Sequence, residues 1–174
     1  MGRILNNAWV VCGPESSGSV FLAKTLSFAL KKCNFFGEYS GYGYNSNTSC
    51  ENLVLHRSIP YMRPRKWDTD LMQEVSRFSP QFRRVDYVLT TRCKQITILS
   101  KCRRFGDTMH TANDDYQKSI PFFQSLAENP STFIWNYETM VLPKGSYFKR
   151  LYLHFGIDSD FVPSIKDGNA PYFN

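Results

Sequence analysis

The chain has 174 residues and a net charge of 21 − 15 = +6, with aromatics at 16% of the composition. That length suits one domain over residues 1–174, able to bury about 70% of its unfolded-chain surface, and excludes a short chain that needs disulfide or metal staples. The positive charge is spread along the chain and not gathered in a tail, so a solvated basic surface and an anionic ligand account for it equally well.

Residues 8–12, Ala-Trp-Val-Val-Cys, read as a short buried strand. A Gly- and Ser-rich loop follows, and from Gly18 to about Lys32 the positions Leu22, Leu26, Ala29, Leu30 and Cys33 keep helical spacing. Lys31 and Lys32 suit the end of that helix and Gly37 its stop. Residues 37–50 have turn composition with three tyrosines, a loop that is either solvated or a lid over a substrate. Residues 52–57 form a second strand ending in His56 and Arg57, before a basic cluster of Arg63, Arg65 and Lys66 and a helix over about 68–78. A third strand spans 85–92, and a helix over 94–104 places Ile96, Leu99 and Arg103 on one stripe. A polar connection covers 105–113, one or two helices lie within 114–128, and a fourth strand covers 132–137. A helix over 146–155 shows Phe148, Leu151, Tyr152 and Phe155 on one face, with Gly156 as its C-terminal stop. Strands alternating with helices predict right-handed crossovers and a mostly parallel sheet with helices packed on it.

The loop carries the chemistry. Gly13-Pro14-Glu15-Ser16-Ser17-Gly18-Ser19-Val20 between a strand and a helix aims backbone N–H groups and a helix dipole at one point, a ready site for phosphate or sulfate. The pattern G-x-x-x-x-G-S-V differs from the nucleotide-binding G-x-x-x-x-G-K-[ST] at the lysine that reaches the β- and γ-phosphates. Position 19 is serine, so the loop is built for an anion other than the triphosphate end of a nucleotide. Ligands of open parallel sheets sit beyond the carboxyl ends of the strands, where Arg92 and, about two turns into the next helix, Ser100 offer a charged fork and a hydroxyl. A ligand with two separate anionic groups fits both places.

On these residues the chain resembles the sulfotransferases that use 3′-phosphoadenosine 5′-phosphosulfate (PAPS). Gly13 to Ser19 is similar to that family's 5′-phosphosulfate loop, and Arg92 and Ser100 to its 3′-phosphate-binding Arg and Ser. Tyr137-Glu138-Thr139-Met140 resembles its Tyr-Glu-Asp-Leu segment, and Ile165 to Tyr172 its Asp-x-Asn-x-x-Tyr ending; the likeness runs from about residue 8 to 172. The resemblance implies a three-layer P-loop NTPase-like α/β fold. It also implies a cofactor site of Gly13, Pro14, Ser16, Ser17, Gly18, Ser19, Val20, Arg92 and Ser100, with PAPS as donor and no metal. Leu-His-Arg-Ser-Ile-Pro is similar to the family's Lys-Thr-His-Leu-Pro, which makes His56 the candidate catalytic base; aligned on the proline, Ser58 falls on the family's histidine and His56 on its lysine. The chain departs from the family in having Glu15 and Ser16 where a loop lysine or arginine is common, Cys93 after the arginine, and no basic C-terminal loop; Lys24 and Arg57 are the candidate replacements for the loop cation.

A nucleotide kinase or NTPase, and a relative that binds nucleotide without turnover, are the competing readings. Nucleic-acid binding is disfavoured by the diffuse charge and the core-like periods of the Phe residues. The acceptor class, whether small molecule, carbohydrate or lipid, is open. Five cysteines without paired or metal-ligand spacing, and no apolar segment before the first strand, lead to the expectation of a cytoplasmic protein without a membrane span, with Cys12 and Cys93 as buried thiols.

Overall fold

The computed structural model of the protein describes residues 5–30, 33–36, 51–60, 71–73, 75–76 and 79–172. Strand β1 (Leu5–Pro14) leads through the loop into α1 (Ser19–Ala29), and β2 (Cys33–Phe36) and β3 (Asn52–Ile59) follow. A 3-10 turn (Ser79–Gln81) precedes β4 (Phe82–Thr91), α2 (Lys94–Phe105) and α3 (Met109–Ala127). The chain continues with β5 (Thr132–Asn136), α4 (Tyr137–Val141), α5 (Gly145–Phe155) and a final 3-10 turn, Ala170–Tyr172.

The strands form one sheet in the order β2-β3-β1-β4-β5, and all four neighbouring pairs are parallel. β1 sits at the centre because it is apolar on both faces. Ala8, Val10 and Cys12 enter one core with Leu53, Leu55, Tyr87, Leu89 and Leu126 of α3. Trp9 and Val11 enter the other with Leu22 and Leu26 of α1, Trp135, and Phe148, Leu151 and Phe155 of α5. Alternation along one strand therefore serves two helical layers, which is how a parallel sheet buries both of its faces. The result is a three-layer α/β fold with helices on each side of the sheet.

Several elements depart from the sequence expectation. The first helix ends at Ala29, where Leu30 turns extended (φ −88°, ψ 126°), and Cys33 opens an unexpected edge strand. The region 114–128 is one helix that starts earlier, at Met109, because the Thr108 side chain accepts a hydrogen bond from the Thr111 N–H at 3.1 Å and caps it. Tyr137 opens α4 and does not extend the fourth strand. The buried face of α2 is Ile96, Thr97, Ile98, Ser100 and Lys101, while Leu99 is half-buried and Arg103 exposed. Cys12 is buried as expected, but Cys93 is exposed at the start of α2. Gly156 does stop α5, in the left-handed region at φ 65°. The tyrosine-rich loop 37–50, Lys31 and Lys32, and Arg63, Arg65 and Lys66 lie outside the described residues.

Candidate functional site

The parallel registers bring three strand ends to one edge: Gly13 of β1 stands beside Ser58 of β3, and Cys12 beside Arg57 and, on the other side, Leu89 of β4. The loop at this edge is held from both neighbours. Ser17 Oγ and Thr90 Oγ1 lie 2.7 Å apart, the Thr90 hydroxyl donates to Cys12 O at 3.2 Å, and Ser17 N–H donates to Pro14 O at 3.0 Å. A Cβ on Gly13 would come within 2.5 Å of the Thr90 carbonyl oxygen, so only glycine lets β1 and β4 approach this closely. Gly18, at φ 92°, brings the backbone against the Tyr137 ring and starts α1 without a side-chain cap or an acidic residue in the first turn. The first N–H groups of a helix have no intrahelical acceptor, so this turn presents donors. Ser16, at φ 72°, adds a buried hydroxyl with no partner among the described residues. Val20 is 38% exposed on the outer side of the turn.

Ser19 and His56 pair across the β1–β3 boundary, with Oγ and Nε2 2.8 Å apart. His56 is 1% exposed. Burial, and then the nearby Arg57 and Arg104 cations, push its pKa down to about 3, so the ring is neutral at physiological pH. The neighbouring Arg57 is equally buried and donates to the His56 carbonyl at 2.6 Å. Lys24 is exposed on α1, and His110 and His154 are exposed on α3 and α5.

Arg92, just past the end of β4, lies directly on the loop. Its Nη1 donates to Ser16 O at 2.8 Å, Nη2 to Gly168 O at 2.8 Å and Nε to Asn169 Oδ1 at 2.7 Å. Its guanidinium carbon sits 4.8 Å from the centre of the Tyr137 ring, a cation–π contact. Of the five N–H donors a guanidinium carries, three are thus engaged with protein oxygens and 5 − 3 = 2 are left for a ligand. The two anion-binding places expected from the sequence therefore adjoin at Ser16. Ser100 is buried on α2, and none of these three bonds of Arg92 runs to it.

Tyr137 and Glu138 tie the C-terminal segment to this site. Gly168 N–H donates to Tyr137 Oη at 2.8 Å, and Asn169 Nδ2 donates to Glu138 Oε1 at 2.9 Å; the same carboxylate oxygen accepts from the Cys93 N–H at 3.0 Å. Nothing local in the sequence ties Asn169 to Arg92 or Thr90 to the loop: their signal is tertiary contact over 77 and 73 residues, respectively. Glu15, which stands where a loop cation is common, places its Oε2 2.6 Å from the ammonium of Lys101. Glu15, Asp107 and Asp115 are the one carboxylate trio among the described residues with metal-ligand spacing, and that same ammonium contacts all three. A concavity of about 450 Å³ lies at the opposite end of the strands, lined by Asn7, Trp9, Arg83 and Asp158 among others. No described helix is long and apolar enough to cross a membrane.

No family model matches this chain, and no curated protein matches it. Among solved structures the fold is similar to that of an unliganded sugar kinase from Janibacter sp. HTCC2649, with TM-score 0.55 at 9% identity, covering 88% of this chain and 96% of the kinase. It is also similar to mouse sulfotransferase SULT7A1 complexed with PAP, with TM-score 0.57 at 12% identity, covering 98% of this chain and 63% of the sulfotransferase. The chain thus spans less than two thirds of that sulfotransferase's length. At such identities the likeness establishes a shared α/β fold, one on which both a kinase and a sulfotransferase are built.

Proposed function

We propose that this protein is a sulfotransferase that moves a sulfuryl group from PAPS to a hydroxyl or amine acceptor. The observation that carries the reading is the loop itself. A glycine-started, uncapped helix turn and the unpartnered Ser16 hydroxyl form an anion cradle with serine at the lysine position, and the Arg92 guanidinium lies against it. The cation-rich surroundings of His56, with Arg57 and Arg104 close by, suit the same anionic ligand. A kinase reading lacks its usual parts, for the loop has no lysine and the last residues of β3 and β4, His56 to Ile59 and Leu89 to Thr91, carry no carboxylate for Mg²⁺.

In this reading the amides of residues 13–20, with Ser16 and Ser17 and the dipole of α1, hold the 5′-phosphosulfate. Ser19 shares its hydroxyl between that group and His56. The two remaining N–H groups of Arg92, with Ser100, meet the 3′-phosphate. The donor's S–O bond to the phosphate breaks as the acceptor oxygen or nitrogen bonds to sulfur, the acceptor's proton leaves, and 3′-phosphoadenosine 5′-phosphate departs. His56 is the proposed proton acceptor. Its neutral ring stands behind Ser19, and a bound anion offsets the two arginines that depress its basicity. Positioning and charge stabilisation do the rest, as in phosphoryl transfer.

Thermal melting tests this. A ligand that prefers the folded state raises Tm, so 3′-phosphoadenosine 5′-phosphate should raise it selectively, and Arg92→Ala should remove the shift. A rise with ATP–Mg²⁺ alone would overturn the sulfotransferase reading in favour of a kinase. Binding without sulfuryl transfer to any acceptor hydroxyl or amine would leave a nucleotide-binding relative without turnover.

A further inference from the structure

Arg92 carries its guanidinium on a long, rotatable stem, and the C-terminal segment fixes where that head group points. Two of its three hydrogen bonds run there: Nε donates to Asn169 Oδ1 at 2.7 Å and Nη2 to Gly168 O at 2.8 Å. Those two N–H groups share one edge of the planar fork, so protein oxygens fill that edge. Nη1 donates to Ser16 O, which leaves one N–H on each terminal nitrogen. The rings of Tyr137 and Tyr172 have their centres 4.8 and 5.9 Å from the guanidinium carbon.

Asn169 is 3% exposed and is bonded through both its backbone and its side chain. Its N–H donates to Asp167 Oδ1 at 2.8 Å, and its carbonyl accepts from the Tyr172 N–H at 2.9 Å. Its side-chain amide donates to Glu138 Oε1 at 2.9 Å, and that oxygen also accepts from the N–H of Cys93, the residue after Arg92. A closed circuit therefore runs from the backbone beside Arg92, through Glu138 and Asn169, to the head group of Arg92 itself. A Cβ at Gly168 would stand 2.8 Å from Tyr137 Oη and 3.7 Å from Arg92 Nη2, so glycine is what lets the segment come this close.

We propose that Asn169 is a positioning residue for the second anion place: it sets the Arg92 rotamer before any ligand arrives, so that selectivity for a 3′-phosphorylated nucleotide depends on the C-terminal segment. This rests on the reading of Arg92 as the group that meets the 3′-phosphate. A side chain whose rotamers are fixed beforehand does not lose that freedom on binding. Asn169 supplies this advantage without touching the reacting atoms.

The test compares Kd values for 3′-phosphoadenosine 5′-phosphate and for adenosine 5′-phosphate, which lacks the 3′ group. It also follows proton exchange at Arg92 Nε by heteronuclear NMR, the signal being assigned by its loss in Arg92→Lys. In Asn169→Ala the bisphosphate should bind about tenfold more weakly, while the monophosphate stays within about twofold. The Nε–H should exchange about tenfold faster in the unliganded variant. A merely structural asparagine would move both Kd values together or move neither. Either of those results, or an Nε–H that exchanges at its original rate, overturns the proposal. If Asn169→Ala does not fold, the unaltered protein decides: slow Nε–H exchange without nucleotide supports the preset rotamer, and exchange that slows only when nucleotide is added refutes it. If the unaltered protein binds the two nucleotides equally, the sulfotransferase reading falls, while the Nε–H comparison still decides whether Asn169 holds Arg92.

Discussion

His56 makes the fold itself sensitive to acid, and the size of the effect follows from its surroundings. In the unfolded chain the imidazole titrates near 6.5, and in the folded protein near 3. Between those values the unfolded state binds a proton that the folded state refuses, so the contribution is complete above about pH 6.5 and drains away as pH falls toward 3. At 1.36 kcal/mol for each pH unit between the two values, the full loss is about 5 kcal/mol, and the part lost between pH 7 and pH 5 is about 2 kcal/mol. Urea unfolding at the two pH values measures it directly. His56→Gln keeps a hydrogen-bonding partner for Ser19 but cannot titrate, so its stability should fall less over the same interval, by that amount of about 2 kcal/mol. Other groups titrate equally in both proteins and cancel. Parallel pH dependences for the two proteins would refute the buried, neutral histidine and, with it, the pairing of Ser19 with His56.

Gly18→Ala should cost about 1–2 kcal/mol from the left-handed backbone alone. Its new Cβ would also stand 2.9 Å from Tyr137 Cδ2, displacing the ring that Arg92 stacks on, so the variant should lose nucleotide-induced stabilisation as well; an unchanged melting shift would count against this geometry. Asn169→Ala removes both the acceptor of the Arg92 Nε–H and the donor to Glu138 from a residue 3% exposed. Leaving those partners unmatched should cost about 1–3 kcal/mol in denaturant unfolding, whereas a cost near zero would mean that the C-terminal segment does not fasten the site.

Much of this architecture was legible because it is locally periodic. The apolar run of β1, the strand–loop–helix order, the Phe148–Phe155 face of α5 and its glycine stop each follow from residues within a few positions of one another. The edge strand β2 was hidden because Leu30 and Cys33 continue the apolar spacing of α1, whereas the helix ends at Ala29 with Leu30 extended. The beginning of α3 was hidden by polar composition, in which Thr108 is a cap and not a loop residue. The stripe on α2 was misjudged because its buried charged residue, Lys101, is retained inside by carboxylates from other elements.

The sequence by itself determined that a glycine-bounded, lysine-free loop leaves a buried strand and opens a helix, since backbone freedom and side-chain period are properties of neighbouring residues. Only the tertiary structure decided what each loop side chain does. Ser17 went to Thr90, Ser19 to His56, Glu15 to Lys101 and the Ser16 carbonyl to Arg92. Those partners come from β3, β4, α2 and the turn that follows β4, which parallel pairing brings to one edge. A contact across dozens of residues leaves no period in the chain to read.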